Sequence, residues 1–394
     1  MPLHQYNERK APGLWIVGLG TQFPENLLRP EELELFARKH YDAKSGGLRK
    51  LLAINRKTGI ETRSSVLDLK TGFAAPSEPP TISDIDSHFR DVGVKLAVQA
   101  CEKALREAGL SPEDITHTVA VTCTNQGNPG YDFLVNERLG LSPNVDRTLL
   151  HGVGCAGGLA TMRAAAQMAL AGTARRRPVR VLAFACELCT LNVRNELAAA
   201  EASLPEDVCV AAALFSDAAA AFVLTNDLGR GAAEAVYEVC AFDNAVLPGT
   251  KHHMSYLIDP FGFRTVLSKA VPILTTQTVV SMFDRLVTEY AAYTGKMLLV
   301  PDNFDWALHP GGDAIIKGVQ DLMSLTDEQL GASKKIYRTR GNASSAAVLI
   351  VLDELRGMGK GKDDVVAMSF GPGLSIEMAM LRRCRAKPLV DEII

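Results

Sequence analysis

The chain carries a weak but ordered echo of itself, and this constrains its fold more than any single motif. "RTLLHGVGCAGGLATM" from Arg147 and "FDWALHPGGDAIIKGV" from Phe304 each read as strand, then a reactive side chain beside glycines, then helix. "SDAAAAFVLTNDL" from Ser216 and "SSAAVLIVLDEL" from Ser344 each read as small residues leading into an aliphatic strand that ends in acid and leucine. This order predicts a duplicated α/β unit with a site where the two halves meet. The halves divide as 1–235 and 236–394.

Local patterns fill in the repeat. "LWIVGLGTQFP" predicts a strand ending in a Gly/Pro turn, and "PEELELFARKHY" a helix with proline in its first turn. Asp91 to Gly109 has helical spacing, and "THTVAVTCT" is a β-branched strand. "FLVNERLGL" predicts a short helix, "AGGLATMRAAAQMALAG" a long one, and "RPVRVLAFACE" a strand. Leu228 to Pro260 reads as a loop-rich connector. Beyond it come helices at "TTQTVVSMFDRLVTEYAAYTG" and "DAIIKGVQDLMSL", and a last strand at "VVAMSFGPG". The runs "RRR" and "KGKDD" read as solvated loops.

The 394 residues are 47% hydrophobic, enough for a large core, and the net charge of -3 gives no basic face for nucleic acid or anionic lipid. The N-terminal "MPLHQYNERKAPG" is polar, and no apolar run is long enough for a membrane span. A soluble cytoplasmic protein is the expectation. The eight cysteines are scattered and mostly in apolar contexts, which reads as reduced, buried thiols. Cys186 and Cys189 have CxxC spacing but lack the second pair or the histidines that zinc would need.

Cys155 sits among glycines where a helix begins. A helix N-terminus favours a thiolate, and glycines let the chain turn sharply and let a substrate approach the backbone. The same residues also fit a small buried cysteine with glycines for tight packing. His309, at a strand end before glycines, and Asn342, in a glycine turn before another predicted strand, are possible partners. Papain-like proteases also use Cys, His and Asn, but their cysteine lies near the mature N-terminus, and Cys155 follows a full α/β pattern.

At these residues the chain resembles the type III polyketide synthases, the chalcone synthase-like branch of the thiolase superfamily. The matching pieces are "GVGCAGGLATMRAA", "ALFSDAAAAFVL", "WALHPGGDAII", "YRTRGNASSAAVLIVLDELR" and "SFGPGLSIEM", in the family's order from Asn125 to Arg382. The resemblance implies a thiolase-like duplicated αβαβα layered fold, with the cysteine in the first half and the His and Asn in the second. It implies a triad of Cys155 as nucleophile, with His309 and Asn342 as partners. His309 would keep the thiolate paired, and both would hydrogen-bond the malonyl thioester carbonyl. It implies acyl-CoA and malonyl-CoA as substrates, no metal or redox cofactor, and a homodimer whose contact includes the "NPG" at Asn128 to Gly130.

It also implies pocket residues. Phe215 matches one gatekeeper phenylalanine, and Thr265 stands where a second phenylalanine is usual. Cys189, Asn192, Tyr256 and Ser344 match other lining positions, and Gly371, Pro372 and Gly373 match a family loop. Ser369 for glycine and "SDAAAA" for an SDGAA-like run are mild departures. Threonine in place of an aromatic favours a long aliphatic starter and alkylpyrone- or alkylresorcinol-type products; a bulky neighbour such as Tyr256 could offset it. Of the basic cluster Arg49, Lys50, Arg56 and Lys57, the resemblance places Lys50 and Lys57 best for CoA phosphate, with Arg56 beside them. Two rivals stay open: a ketoacyl-ACP synthase III-like condensing enzyme, and a noncatalytic acyl-CoA-binding protein of the same fold.

Overall fold

Ten consecutive residues, "DAAAAFVLTN", are buried along one strand, and the neighbouring "RVLAFACEL" is almost as enclosed. Strands apolar on both faces must be covered on both sides, and the architecture follows from this. The computed structural model describes residues 12–229, 235–359 and 361–384. Most of the N-terminal segment, Lys360 of the "KGKDD" run and residues 230–234, beside the predicted junction, lie outside the described residues.

The first half runs β1 (Leu14–Gln22), β2 (Asn26–Leu28), α1 (Pro30–His40), α2 (Gly46–Asn55), β3 (Arg63–Ser65), α3 (Ile82–His88), α4 (Val94–Ala108) and β4 (His117–Val121). It continues with α5 (Tyr131–Leu139), β5 (Asp146–Leu150), α6 (Gly157–Ala174), β6 (Arg180–Leu188), α7 (Val193–Ala202), α8 (Ala211–Leu214) and β7 (Asp217–Asn226). The second half runs β8 (Tyr237–Val246), β9 (Met254–Asp259), β10 (Gly262–Leu267), α9 (Val271–Thr276), α10 (Val279–Thr294) and β11 (Phe304–Leu308). It ends with α11 (Asp313–Met323), α12 (Gly331–Arg340), α13 (Ser344–Gly357), β12 (Asp364–Gly371) and β13 (Ser375–Arg383).

A nine-stranded sheet has the order β11-β12-β13-β8-β1-β7-β6-β4-β5. Its two parts repeat one topology. β4 pairs parallel with β6 as β11 does with β12; β6 pairs antiparallel with β7 as β12 does with β13; β7 pairs antiparallel with β1 as β13 does with β8. Among the described residues, β1 and β8 join the parts through the register pairs Trp15↔Glu238 and Ile16↔Tyr237. α6 and α13 lie between them, sharing one core with Ala183 and Phe222 of one part and Ala307 and Val365 of the other. α1, α2 and α4 cover the outer face of the first part, and α10 and α11 that of the second. This is the duplicated thiolase-like layering.

The topology corrects the register of the echo. β11 is the counterpart of β4, not of β5, and the turn before α13 is the counterpart of the Cys155 turn before α6. "SSAAVLIVLDEL" is the helix α13, not a strand, so Asn342 precedes a helix. Residues 344–352 are all buried because a part of the sheet packs on either side. An all-round apolar helix loses its 3.6-residue signal, leaving only its length to distinguish it from a strand. The predicted connector holds β8 and β9, and β13 follows the strand predicted to be last.

α6 meets α13 at backbone distance. A Cβ on Gly158 would lie 2.4 Å from the Ser345 carbonyl oxygen, and one on Gly157 would lie 2.6 Å from Val121 Cγ2. Gly158→Ala is therefore expected to destabilise the fold by about 1–3 kcal/mol in urea unfolding. Unchanged stability would mean that the helices separate freely. Among the described residues no helix is long and apolar enough to cross a membrane, and no cluster of three or more His, Cys, Asp or Glu is placed to hold a metal ion.

Candidate active site

Cys155 lies in a 3₁₀ turn, Gly154–Ala156, directly ahead of α6. Gly154 has φ +48, a region costly for a residue with a Cβ, and a Cβ there would lie 2.5 Å from Pro372 Cδ. A Cβ on Gly371 would lie 2.3 Å from the Val153 carbonyl oxygen. The loop Gly371, Pro372, Gly373 thus seats the cysteine turn. The glycines here serve backbone-to-backbone packing and the turn itself.

The Cys155 thiol donates to Ser344 Oγ at 3.4 Å. Burial pushes it up to about 11, against hydrogen bonds from Ser344 and Asn342. The predicted lowering by the helix N-terminus is therefore overturned: desolvation of the thiolate outweighs the partial charge at the helix end.

Asn342 is fixed by its backbone and by its amide. Its N–H donates to the Leu214 carbonyl (3.0 Å), and its carbonyl accepts from the Ser216 N–H (2.9 Å), forming a bridge beside Phe215. The Ser344 N–H donates to Asn342 Oδ1 at 2.9 Å, which sets the amide's orientation. Nδ2 is left with a long 3.5 Å contact to the Gly311 carbonyl and a hydrogen bond with the Cys155 thiol. Ser344 itself has φ +47, strained for a non-glycine, and this posture holds its hydroxyl beside Cys155.

His309 follows β11 and is 1% exposed. Its N–H donates to the Met368 carbonyl (2.8 Å), carrying it along the β11–β12 pair toward the loop that seats Cys155. A Cβ on Gly311 would lie 3.3 Å from His309 Nε2, so the ring abuts the residue that Asn342 contacts. Burial pushes the imidazole down to about 3, and Nδ1 has no partner. Burial thus disfavours the charged form of both groups, which opposes the ion pair that the resemblance implies.

Sequence reasoning missed the groups behind Ser344. Cys123 Sγ lies 3.4 Å from Ser344 Oγ and donates to Glu187 Oε2 at 3.4 Å. Glu187, fully buried with its carboxyl raised by desolvation, also accepts from Thr124 (2.8 Å) and Ser345. The available signal was a lone charge closing the apolar strand "RVLAFACEL".

A narrow cavity of about 20 Å³ is lined by Cys189, Asn192, Phe215, Tyr256, Thr265 and Glu196, with room for about one water. Asn192 donates to the Tyr256 hydroxyl (2.8 Å) and accepts from the Phe263 N–H (2.8 Å). Tyr256 stacks on Phe263 with centroids 4.7 Å apart and faces Thr265 across the β9–β10 hairpin. The space expected at Thr265 is narrowed by this ring.

Glu196 was not anticipated, although it shares an apolar helix face with Val193, Leu197 and Ala200. Burial raises its carboxyl to about 7 from an ordinary 4.5, opposed by hydrogen bonds from Thr265. The native chain then keeps a proton that the unfolded chain loses, so stability is fully present below about pH 4.5 and falls as pH rises to 7. Relative to Glu196→Gln, wild type should lose about 3 kcal/mol across that window. A Glu196→Gln difference that is flat with pH in urea titrations would show a carboxylate ionised throughout.

The basic residues lie apart from this cavity. Lys50 and Lys57 are exposed and form no ion pair among the described residues. Arg56 is held by Glu34, which also binds Arg38. α2, which carries Lys50, packs closely on α7: a Cβ on Gly47 would lie 2.2 Å from the Ala200 carbonyl oxygen. Tyr337 of α12 donates to the Thr58 carbonyl (2.8 Å), tying the Lys57 turn to the helix before Asn342.

The doubled fold, with a thiol turn from one half beside a carboxamide from the other and an imidazole next to that carboxamide's neighbour Gly311, defines a condensing enzyme of the thiolase type. Models of chalcone and stilbene synthases match the chain, the N-terminal domain over residues 4–228 and the C-terminal domain over 238–385. The chain belongs to the chalcone and stilbene synthase family and is a type III polyketide synthase, a condensing acyltransferase. It is 55% identical over 400 residues to the type III polyketide synthase pspB of Penicillium soppii, covering 98% of this chain and 99% of that one. It is 37% identical to the acylalkylpyrone synthase csyB of Aspergillus oryzae, over 93% of this chain and 94% of that one. A solved type III pentaketide synthase from Neurospora crassa matches with TM-score 0.91 and 40% identity, covering 94% of this chain and 99% of that one. CsyB complexed with CoA-SH matches with TM-score 0.88 and 36% identity, over 94% and 100%.

Proposed function

We propose that the chain loads a fatty acyl-CoA starter on Cys155 and extends it with malonyl-CoA by decarboxylative Claisen condensation. It then releases a cyclised alkylpyrone- or resorcinol-type product. The observation that carries this reading is the fixed Asn342 amide, its Oδ1 occupied by the Ser344 N–H and its Nδ2 beside the Cys155 thiol.

In this scheme His309 takes the Cys155 proton as sulfur attacks the starter thioester, and CoA leaves as its thiol. Malonyl-CoA then loses carbon dioxide, and the electron pair moves onto the thioester oxygen as an enolate. Asn342 Nδ2 and the His309 ring donate to that oxygen, where charge builds. The enolate carbon attacks the Cys155 thioester, and sulfur leaves. Each step balances without a metal or redox cofactor. The similar CsyB, solved with CoA-SH, supports CoA thioesters as substrates. The chain is further proposed to act as a homodimer, with the exposed Asn128–Pro129 turn in the contact.

Thr265 supports the fatty starter, as does the likeness to an acylalkylpyrone synthase. Tyr256 opposite Thr265, and the water-sized cavity, favour a second reading with a short starter. Product mass spectrometry on starters from acetyl-CoA to palmitoyl-CoA, each with malonyl-CoA, decides between them. No product from any starter would reject condensation.

Lys50 and Lys57 are proposed to hold CoA phosphate. Replacing both with alanine should raise KM for malonyl-CoA about five- to tenfold, with kcat little changed and the effect shrinking in salt. An unchanged KM at low ionic strength would remove them from the CoA site.

A further inference from the structure

We propose that Glu196, braced by Thr265, is the chain-length stop of the acyl cavity. This rests on the proposed condensation, with the starter's tail taken to enter the cavity at Thr265. Glu196 is 8% exposed and lines that cavity. Its Oε1 accepts both the Thr265 N–H (3.1 Å) and the Thr265 hydroxyl (2.6 Å). Its other oxygen has no partner among the described residues; the cavity is lined elsewhere by apolar Val193, Ala211, Ala212 and Phe215 and by polar Arg63, Thr190 and Asn192.

Thr265 has a second exposure. It also lines a surface groove of about 720 Å³, with Ala199, Val208, Cys209 and Leu267. Thr265 is the residue common to the two linings and is bonded to Glu196, so this pair stands between the inner cavity and the outer groove. A growing or long aliphatic tail that reaches this wall meets a carboxyl and must strip its remaining solvation, with no hydrogen bond to offer in return. Tails that end short of the wall avoid that penalty. Length is thus limited by a polar end wall, and Thr265 acts by holding Glu196 in place.

The test measures kcat/KM for two fatty acyl-CoA starters, octanoyl-CoA as the short one and stearoyl-CoA as the long one, with the full-length protein. Wild type should favour the short one. Glu196→Ala should raise the long-to-short ratio about tenfold, the effect of giving roughly two more methylenes a buried place. Glu196→Gln keeps a polar wall and should leave the ratio near that of wild type. Thr265→Ala, which frees the carboxyl, should raise the ratio in the same direction and carries the test if Glu196→Ala does not fold. A ratio unmoved in the folded Glu196→Ala protein, or in Thr265→Ala when the former fails to fold, overturns the stop. If wild type makes product from neither starter, the failure lies instead with the proposed condensation.

Discussion

Cys155→Ala is expected to make no detectable polyketide, a loss of about a thousandfold or more in turnover. The substitution removes the only atom proposed to carry the acyl chain. It should leave the fold intact, because the turn is held by backbone and glycine contacts with the Gly371–Gly373 loop and not by sulfur. The thiol contacts Ser344 at 3.4 Å and the Asn342 amide, and both of these residues are held by their own backbones. Incubation with radiolabelled acyl-CoA should label wild type on the Cys155 peptide and leave the variant unlabelled. Slow decarboxylation of malonyl-CoA should persist in Cys155→Ala, since His309 and Asn342 remain. Product from Cys155→Ala at the wild-type rate would remove Cys155 from the mechanism.

Asn342→Ala is the second large effect. Losing one preorganised donor to a developing oxyanion slows the step by about a hundred- to a thousandfold. The loss should fall on malonyl-CoA decarboxylation, while loading of starter on Cys155 continues. Backbone bonds to Leu214 and Ser216 hold residue 342 whatever its side chain, so the change stays local. Asn342→Asp sharpens the test. It keeps an acceptor for the Ser344 N–H and removes both Nδ2 donors, so it should fold like wild type and decarboxylate as poorly as Asn342→Ala. Full decarboxylation in Asn342→Asp would show that the amide acts only as a brace.

The aspects of the fold written in local pattern were legible. "LWIVGLG", "RVLAFACEL" and "DAAAAFVLTN" are strands because their apolar runs are bounded by turns. Helix α4 follows its periodicity and stops at Gly109 in the left-handed conformation. α13 was misread because burial from both parts of the sheet erased its periodicity, and the register of the duplication was misread with it. The Cys155 turn could be found from its glycines, yet their purpose could not. Gly157 and Gly158 answer to Val121, Ser345 and Val348, neighbours distant in sequence or in another helix.

The sequence by itself determined the alternation of strands and helices, the doubling of the unit, and which thiol, imidazole and carboxamide stand at turns beside glycine. These depend on residues close in the chain, where steric and periodic rules act directly. Tertiary structure alone decided that α13 is a helix, that burial pushes the thiol up and the imidazole down, and that Glu196 and Tyr256 narrow the space Thr265 leaves open. Those outcomes depend on burial and on neighbours brought together from opposite halves. Desolvation and packing are properties of the assembled surroundings and have no signature in a short stretch of chain.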